Sequence, residues 1–313
     1  MSATVLKLPM PSSDRPVQLA DWCEAHMLLS GDKYLSRTKI RSLLHNTVFI
    51  ETGRGDGDLE PSELDLALDS LFAEIERRRR SGGEGYPFVV EPGHPGVRLV
   101  SGAEPLIYAF LLLICVSPSM RSEKRQKEVD HPFDQVALEA LRKYLGPGCV
   151  GLRFGTPASE GRPTTFREAI PWLAKKVNLR TGRGDLRGHT GDGGADVVAW
   201  IPFSDQRESF VAVLAQCTVQ LDWYNKGKDI VVDRWRGWID FGKDPTTCLA
   251  VPFAIGTDEA RWDEIRRTTH IVMDRFRLVR QQPKLPIAVR KTVEAWVKKE
   301  AKALGGNLAT VSA

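Results

Sequence analysis

Hydrophobic positions recur along the chain in two rhythms, and the change from one to the other divides it. Apolar residues fall at helical spacing from Leu19 to Leu29 and from Ser36 to Phe49, where Leu35, Ile40, Leu43 and Leu44 form a stripe. Leu64, Leu68, Leu71, Phe72 and Ile75 continue this rhythm in a longer helix opened by Pro61-Ser62-Glu63, with Ser62 as the expected N-cap. Tyr86 to Val90 reads as a short strand and Pro105 to Val116 as a buried helix. From about residue 130 short apolar runs alternate with helical segments. His131-Pro132-Phe133-Asp134 opens a helix carrying Val136, Leu138, Leu141 and Leu145 and closed by Gly146-Pro147-Gly148, after a charged linker or helix end at Arg121 to Lys127. Cys149 to Phe154 reads as a strand. Thr164 or Thr165 caps a helix through Ile170, Leu173, Ala174 and Val177, in which Pro171 fits only the first turn or a kink. Val197 to Ile201 and Phe210 to Ala215 are too short for typical helices and are joined by turn-forming residues, so they read as two buried strands of a hairpin. Thr247 to Ile255 predicts a third buried strand, Asp258 to Thr269 a helix, Ile271 to Leu278 another strand, and Ile287 to Leu304 a basic amphipathic helix.

The expected fold class is therefore α/β, a mixed central sheet flanked by helices and preceded by a mainly helical N-terminal domain. The expected boundaries are 1–128 for the helical part and 129–313 for the α/β part with its C-terminal helix. With 42% hydrophobic and 27% charged residues in a 313-residue chain, the composition is that of a globular protein. A net charge of +4 and a pI of about 8.8 permit a nucleic-acid partner without arguing for one. The cysteines (Cys23, Cys115, Cys149, Cys217, Cys248) are scattered, which speaks against a disulfide framework or structural zinc and leads us to expect a cytoplasmic setting. The N-terminal stretch carries no apolar signal-peptide core, and Leu106 to Val116 is too short to span a bilayer, so no membrane partner is expected.

The chemistry concentrates at the hairpin. Strand alternation puts Asp196 on a face with Val198 and Trp200, and Gln216 on a face with Leu214 and Thr218. If the strands pair, a carboxylate and an amide oxygen stand side by side at one end of a sheet. Such oxygens suit a hard cation, Mg2+ or Mn2+, and Glu168 in the preceding helix is placed to add a third. A nearby lysine could orient or deprotonate water attacking a phosphate. The bland alternative is that Asp196 caps a turn, Gln216 ends a strand and Glu168 only complements a helix dipole. Asp192 reads as a turn residue or an outer partner of the site. Arg180, Arg183, Arg187 and His189, among glycines just before the hairpin, are either DNA-phosphate contacts or a solvated loop.

Other motifs are weaker. The acids of Gly53 to Asp58 are out of register for a calcium loop. Arg77 to Arg80 either complement a helix C-terminus or form a phosphate patch, and Asp274 to Arg277 is an ion-pair brace or a phosphate clamp, the brace being preferred. A Walker lysine, a GxGxxG loop and a Gly-x-Ser-x-Gly elbow are all missing from the sequence. Gly193-Gly194-Ala195-Asp196 loosely echoes a nucleotidyltransferase loop, but Val198 stands where the second aspartate belongs.

A helix with Phe166-x-Glu168, an aspartate before an apolar strand and a strand ending in Gln216 together resemble the PD-(D/E)XK nuclease superfamily, notably its Mrr-like restriction enzymes and Holliday-junction resolvases. The resemblance covers about residues 130 to 255. It implies a Mg2+-dependent (or Mn2+-dependent) DNA endonuclease of bacterial restriction or antiviral defence. It also implies Asp196 and Gln216 as catalytic metal ligands, with Glu168 as the helix acid. Implied partners are DNA, an ATPase, helicase or other defence-system subunit, and a second copy in a homodimer. The family's lysine belongs at position 218, where this chain has Thr218, and a hydroxyl does not replace an ammonium. Either Lys226, or after it Lys228, serves instead, or the site is degenerate and the chain is a DNA-binding or adaptor subunit.

Overall fold

The computed structural model describes residues 6–9, 15–52, 61–93, 96–102, 104–158, 161–189, 191–256 and 259–306. In chain order its elements are α1 (Pro16–Ser30), β1 (Tyr34–Ser36), α2 (Arg37–Thr52), α3 (Pro61–Gly82), β2 (Phe88–Val90), β3 (Gly96–Leu99), α4 (Leu106–Val116), α5 (Glu123–Leu145) and β4 (Val150–Arg153). There follow α6 (Phe166–Val177), β5 (Arg180–Thr181), β6 (Val197–Trp200), β7 (Ala212–Cys217), α7 (Val232–Trp238), β8 (Ile239–Asp240), β9 (Thr246–Ala250), α8 (Glu259–Arg266), β10 (Ile271–Met273), α9 (Arg275–Arg280) and α10 (Ile287–Ala303). No helix among the described residues is long and apolar enough to cross a membrane. The Gly53 to Asp58 segment lies outside the described residues.

The chain forms two compact units, which cut it differently from a single break after residue 128. One contains 1–120, 275–280 and 290–313; the other contains 121–274 and 281–289. Most of α10 thus belongs with the N-terminal part.

The first unit packs α1, α3, α4 and α9 around an apolar interior that includes Leu19, Leu28, Leu68, Leu71 and Phe110, beside a small antiparallel sheet ordered β1-β3-β2. A charged network runs through it. The fully buried Glu24 accepts hydroxyl hydrogen bonds from Tyr86 and Tyr108, and an Arg78 N–H bond at 2.9 Å. Arg78, equally buried, also donates to Glu74 at 2.8 Å and Asp21 at 2.7 Å, while Arg275 grips Asp21 through two bonds of 2.7 and 3.0 Å. Arg77 pairs with Glu74, and Arg79 donates to the carbonyls of Gly83 and Tyr86. Both arginine motifs therefore serve as internal braces. The strand expected through Leu278 stops at Met273, and Arg275 to Arg280 turn into α9, whose Phe276, Leu278 and Val279 are buried. An apolar run alone did not separate these two states.

The second unit is a mixed α/β domain: a five-stranded sheet ordered β10-β9-β7-β6-β4, flanked by helices, as expected for the fold class. β4, β6 and β7 form an antiparallel meander, whereas β7, β9 and β10 are parallel. Leu138 of α5 lies against Gly151 on one face of the sheet. On the other, Ile170, Leu173 and Val177 of α6 pack with Leu152, Val198, Trp200 and Leu214. Trp235 and Trp238, both buried, extend that core beneath the β5–β8 ribbon.

Two helices correct the expectations. α5 begins at Glu123 rather than His131, so the supposed linker is its first turns and Pro132 sits in its interior. Proline there removes one helical hydrogen bond and crowds the preceding turn. Burial of Val129, Phe133, Val136 and Leu141 on either side holds the helix through it. In α6, Pro171 is likewise past the first turn, between the buried Ile170 and Leu173.

Candidate metal centre

α5 brings the first acid. Asp130 and Asp134 are four residues apart and so share a helix face, and Asp134 is buried. The second acid, Asp196, stands just ahead of β6. Its carbonyl accepts from Phe154 N at 2.6 Å and Gly155 N at 2.8 Å, its N–H donates to Ala215 O at 2.9 Å, and its Oδ2 accepts from Cys217 N at 2.8 Å. Both polar backbone groups of Asp196 are thereby tied down, the carbonyl to the residues that follow β4 and the N–H to β7. Upstream, Asp192 Oδ1 accepts from Gly194 N at 3.0 Å in an Asx turn, which sets the approach to the strand. Gly194 has φ +82°, and a Cβ there would lie 2.4 Å from Asp229 O, so the turn demands glycine.

Asp134, Asp196 and Cys217 converge, with one ligand atom of each within 4.8 Å of the others. Asp196 keeps part of its surface open while the other two are buried. Gly155 makes room for the carboxylates: a Cβ there would stand 2.8 Å from Asp196 Oδ1 and 3.3 Å from Asp134 Oδ2. Arg153, almost wholly buried, donates to Asp134 Oδ2 at 2.8 Å and to the Pro157 carbonyl at 2.7 Å. Nearby, Arg162 lies over the Phe154 ring at 4.4 Å and donates to Gly191 O at 2.6 Å.

The electrostatics follow from that crowding. Burial pushes the Asp134 carboxyl up to about 7, against the opposing pull of Arg153. Burial, then the neighbouring Asp134 and Asp192 carboxylates, holds Asp196 well above the usual carboxylate range. Burial likewise raises Asp130 to about 6. The Arg153 guanidinium does not offset both Asp134 and Asp196, and a divalent cation between these two carboxylates would relieve their repulsion. The donors present fit such an ion: two carboxylates on rigid elements, one of them open to solvent.

The expected site residues are distributed differently. Asp196 is in the centre. Gln216, on the neighbouring strand, donates from its amide to the Cys217 carbonyl at 3.3 Å. Asp196 lies outside the paired β6 span, where strand alternation no longer dictates its face, and its carboxylate reaches Cys217 N–H. Glu168 lies outside the convergent group. It closes a capping box at the start of α6, accepting from the Thr165 hydroxyl at 2.7 Å while its N–H donates back at 3.4 Å. The helix acid at the centre is Asp134 of α5, which sequence reasoning missed because the helix was begun too late to show Asp130 and Asp134 as a stacked pair. Thr218 is buried, and its hydroxyl accepts from Gln220 N at 3.2 Å. Lys226, in a 3-10 turn, holds its ammonium 3.6 Å from Asp229, and Lys228 is exposed. Arg180, Arg183 and Arg187 are exposed, Arg180 beside Glu208 and Arg187 beside Asp185. His189 packs its ring against Trp238 and Phe166.

No family model and no curated protein matches the chain. Among solved structures, the MspJI restriction endonuclease in complex with a 27-mer oligonucleotide aligns at 15% identity with a TM-score of 0.28, covering 68% of this chain and 42% of that one. The chain thus spans less than half the length of that protein. A likeness at this level leaves the function to be argued from the site itself.

Proposed function

We propose that the chain is a divalent-metal-dependent DNA endonuclease, as the PD-(D/E)XK resemblance implies, with Asp134 and Asp196 as the carboxylates that hold the ion. The observation that carries the reading is the convergence of those two acids at the end of the mixed sheet, with Gly155 making room for them. A divalent ion held there supplies charge stabilisation to a phosphodiester undergoing hydrolysis. Mg2+ or Mn2+ is the ion the resemblance implies. Arg153 holds Asp134 in place and offsets part of the site's negative charge. The exposed Arg180, Arg183 and Arg187 would add contacts to DNA phosphates, affecting affinity rather than sequence choice. A role in restriction or antiviral defence, with an ATPase or helicase partner, belongs to the same reading.

A specific observation favours a second reading, a nuclease-fold subunit that binds DNA without cutting it. The hydroxyl of Thr218 is engaged by Gln220, and the Lys226 ammonium is engaged by Asp229. The test is incubation of supercoiled plasmid with the full chain in Mg2+, Mn2+ or EDTA, beside Asp196→Asn and Asp134→Asn. Metal-dependent nicking lost in both variants supports the endonuclease. Full cutting by Asp196→Asn or in EDTA sinks it. A gel shift without cutting, under every metal tried, moves the chain to the second reading.

A further inference from the structure

Two of the three side chains at the centre are the acids just discussed; the third is a cysteine. Cys217 is 8% exposed, and among the described residues its thiol makes neither a hydrogen bond nor a disulfide. Buried cysteines usually lie against apolar neighbours as small hydrophobes. This one ends an interior strand, paired to β6 on one side and β9 on the other, with its own N–H donated to Asp196 Oδ2 at 2.8 Å. Its sulfur therefore stands among carboxylate oxygens, within 4.8 Å of one from each acid. Cys217 is the residue between Gln216 and Thr218, a position to which the nuclease resemblance gives no role.

We propose that Cys217 is the third protein ligand of this centre and that the centre is built for a divalent ion that accepts sulfur, of the Zn2+ and Co2+ class, rather than for Mg2+. The proposal rests on the metal reading of Asp134 and Asp196 and refines the identity of the ion. Mg2+ takes oxygen ligands in near-octahedral geometry and gains nothing from a thiol. Zn2+ accepts a thiolate at ~2.3 Å beside carboxylate oxygens at ~2.0–2.2 Å, and three protein ligands with one open position is its usual catalytic arrangement. Asp134, Asp196 and Cys217 come from a helix, a strand entry and a strand end, and only Asp196 faces solvent, which leaves the open position on the accessible side. Charge also balances. Two carboxylates and a thiolate carry three negative charges, against two on the ion and one on Arg153. On binding, the sulfur–metal bond forms as the S–H bond gives up its proton to solvent.

The experiment is a Co2+ titration of the full, EDTA-treated and desalted chain, followed by absorption spectroscopy and calorimetry. It is repeated on Cys217→Ser, on Asp196→Asn, and on Cys248→Ser as a buried thiol outside the group. The expected result is a near-ultraviolet thiolate-to-cobalt charge-transfer band in wild type and Cys248→Ser, absent in Cys217→Ser. Zn2+ affinity should fall in Cys217→Ser by at least about tenfold, the minimum seen when mere supporting partners of ligands are lost. Wild-type binding without that band, abolished by Asp196→Asn, would show an oxygen-only centre; it would overturn the role of Cys217 and leave the metal reading standing. A band that survives in Cys217→Ser also overturns the role. If wild type binds none of Co2+, Zn2+, Mn2+ or Mg2+ by calorimetry, both readings fall. Should Cys217→Ser fail to fold, Cys217→Ala takes its place, and a wild-type spectrum without the band overturns the role whatever the variants do.

Discussion

Gly155 shows how little space separates the proposed metal site from a blocked one. The carboxylates of Asp134 and Asp196 approach each other across a gap that a single methyl group would enter, 2.8 Å from one oxygen and 3.3 Å from another. The nearer distance is below ordinary van der Waals contact, so one acid must turn aside. We expect Gly155→Ala to fold and to bind divalent ions at least about tenfold more weakly, because a ligand must move, whereas outer-partner losses already cost that much. Calorimetry with Zn2+ or Mn2+ measures it, and unchanged affinity would show that the two acids do not share an ion. Asp196→Asn should do more. It removes a charge from an atom already fixed by the Cys217 N–H, and no detectable binding is expected at concentrations that saturate wild type. A change that removes the charge but keeps the shape separates loss of the ligand from loss of packing.

At the scale of elements, the capping box of α6 assigns Glu168 a structural duty. Thr165→Ala removes a hydroxyl that both accepts from Glu168 N and donates to its carboxylate, and should cost about 1 kcal/mol of stability in urea unfolding. Glu168→Gln retains most of the box, so we expect metal affinity within about twofold of wild type and a stability change of only a few tenths of a kcal/mol. A large loss of metal binding in that variant would return Glu168 to the centre. This helix was legible in the sequence because its cap and apolar stripe are local. So were the hairpin strands β6 and β7, with Asp196 at their entrance. α5 was not, because Pro132 is a local stop signal overruled by burial of Val129 and Phe133 around it. That misreading hid Asp134, and with it the partner of Asp196. Cys217 was hidden for another reason: alternation assigns it the face opposite Gln216, and only the position of Asp196 just outside its strand lets that carboxylate reach it. The short strand expected through Leu278 failed because Arg275 is buried by an ion pair with Asp21, a residue 254 positions away.

For the whole molecule, the two units spend buried charge in opposite ways. In the first, Arg78 is satisfied by Glu24, Glu74 and Asp21; Glu74 and Asp21 keep Arg77 and Arg275, but Arg78→Met takes from the fully buried Glu24 its ion-pair partner and should cost about 3–5 kcal/mol in chemical denaturation. In the second, acids outnumber their guanidinium partner at the centre, and stability should depend on pH in a sense opposite to ordinary acid denaturation. Burial raises Asp134 to about 7 and Asp130 to about 6, against an ordinary aspartate value of 3.8. Between the lower and upper values the native state holds more protons than the unfolded chain, so stability falls as pH rises through that window. In EDTA, unfolding of this unit should be most resistant near pH 5 and weaken toward pH 7.5. Asp130→Asn removes one titrating group without touching the Arg153 hydrogen bond to Asp134. It should flatten the slope by up to about 1.4 kcal/mol per pH unit below pH 6. Saturating divalent ion should reverse the trend, because it binds the deprotonated ligands and binds more tightly as pH rises. Urea midpoints at pH 5, 6, 7 and 7.5, with EDTA or Zn2+, measure both effects. A slope in EDTA that rises from pH 5 to 7.5, or one unaltered by Asp130→Asn, would show that these carboxylates are ionised and paired in the folded protein. The repulsion that invites a metal ion would then be absent.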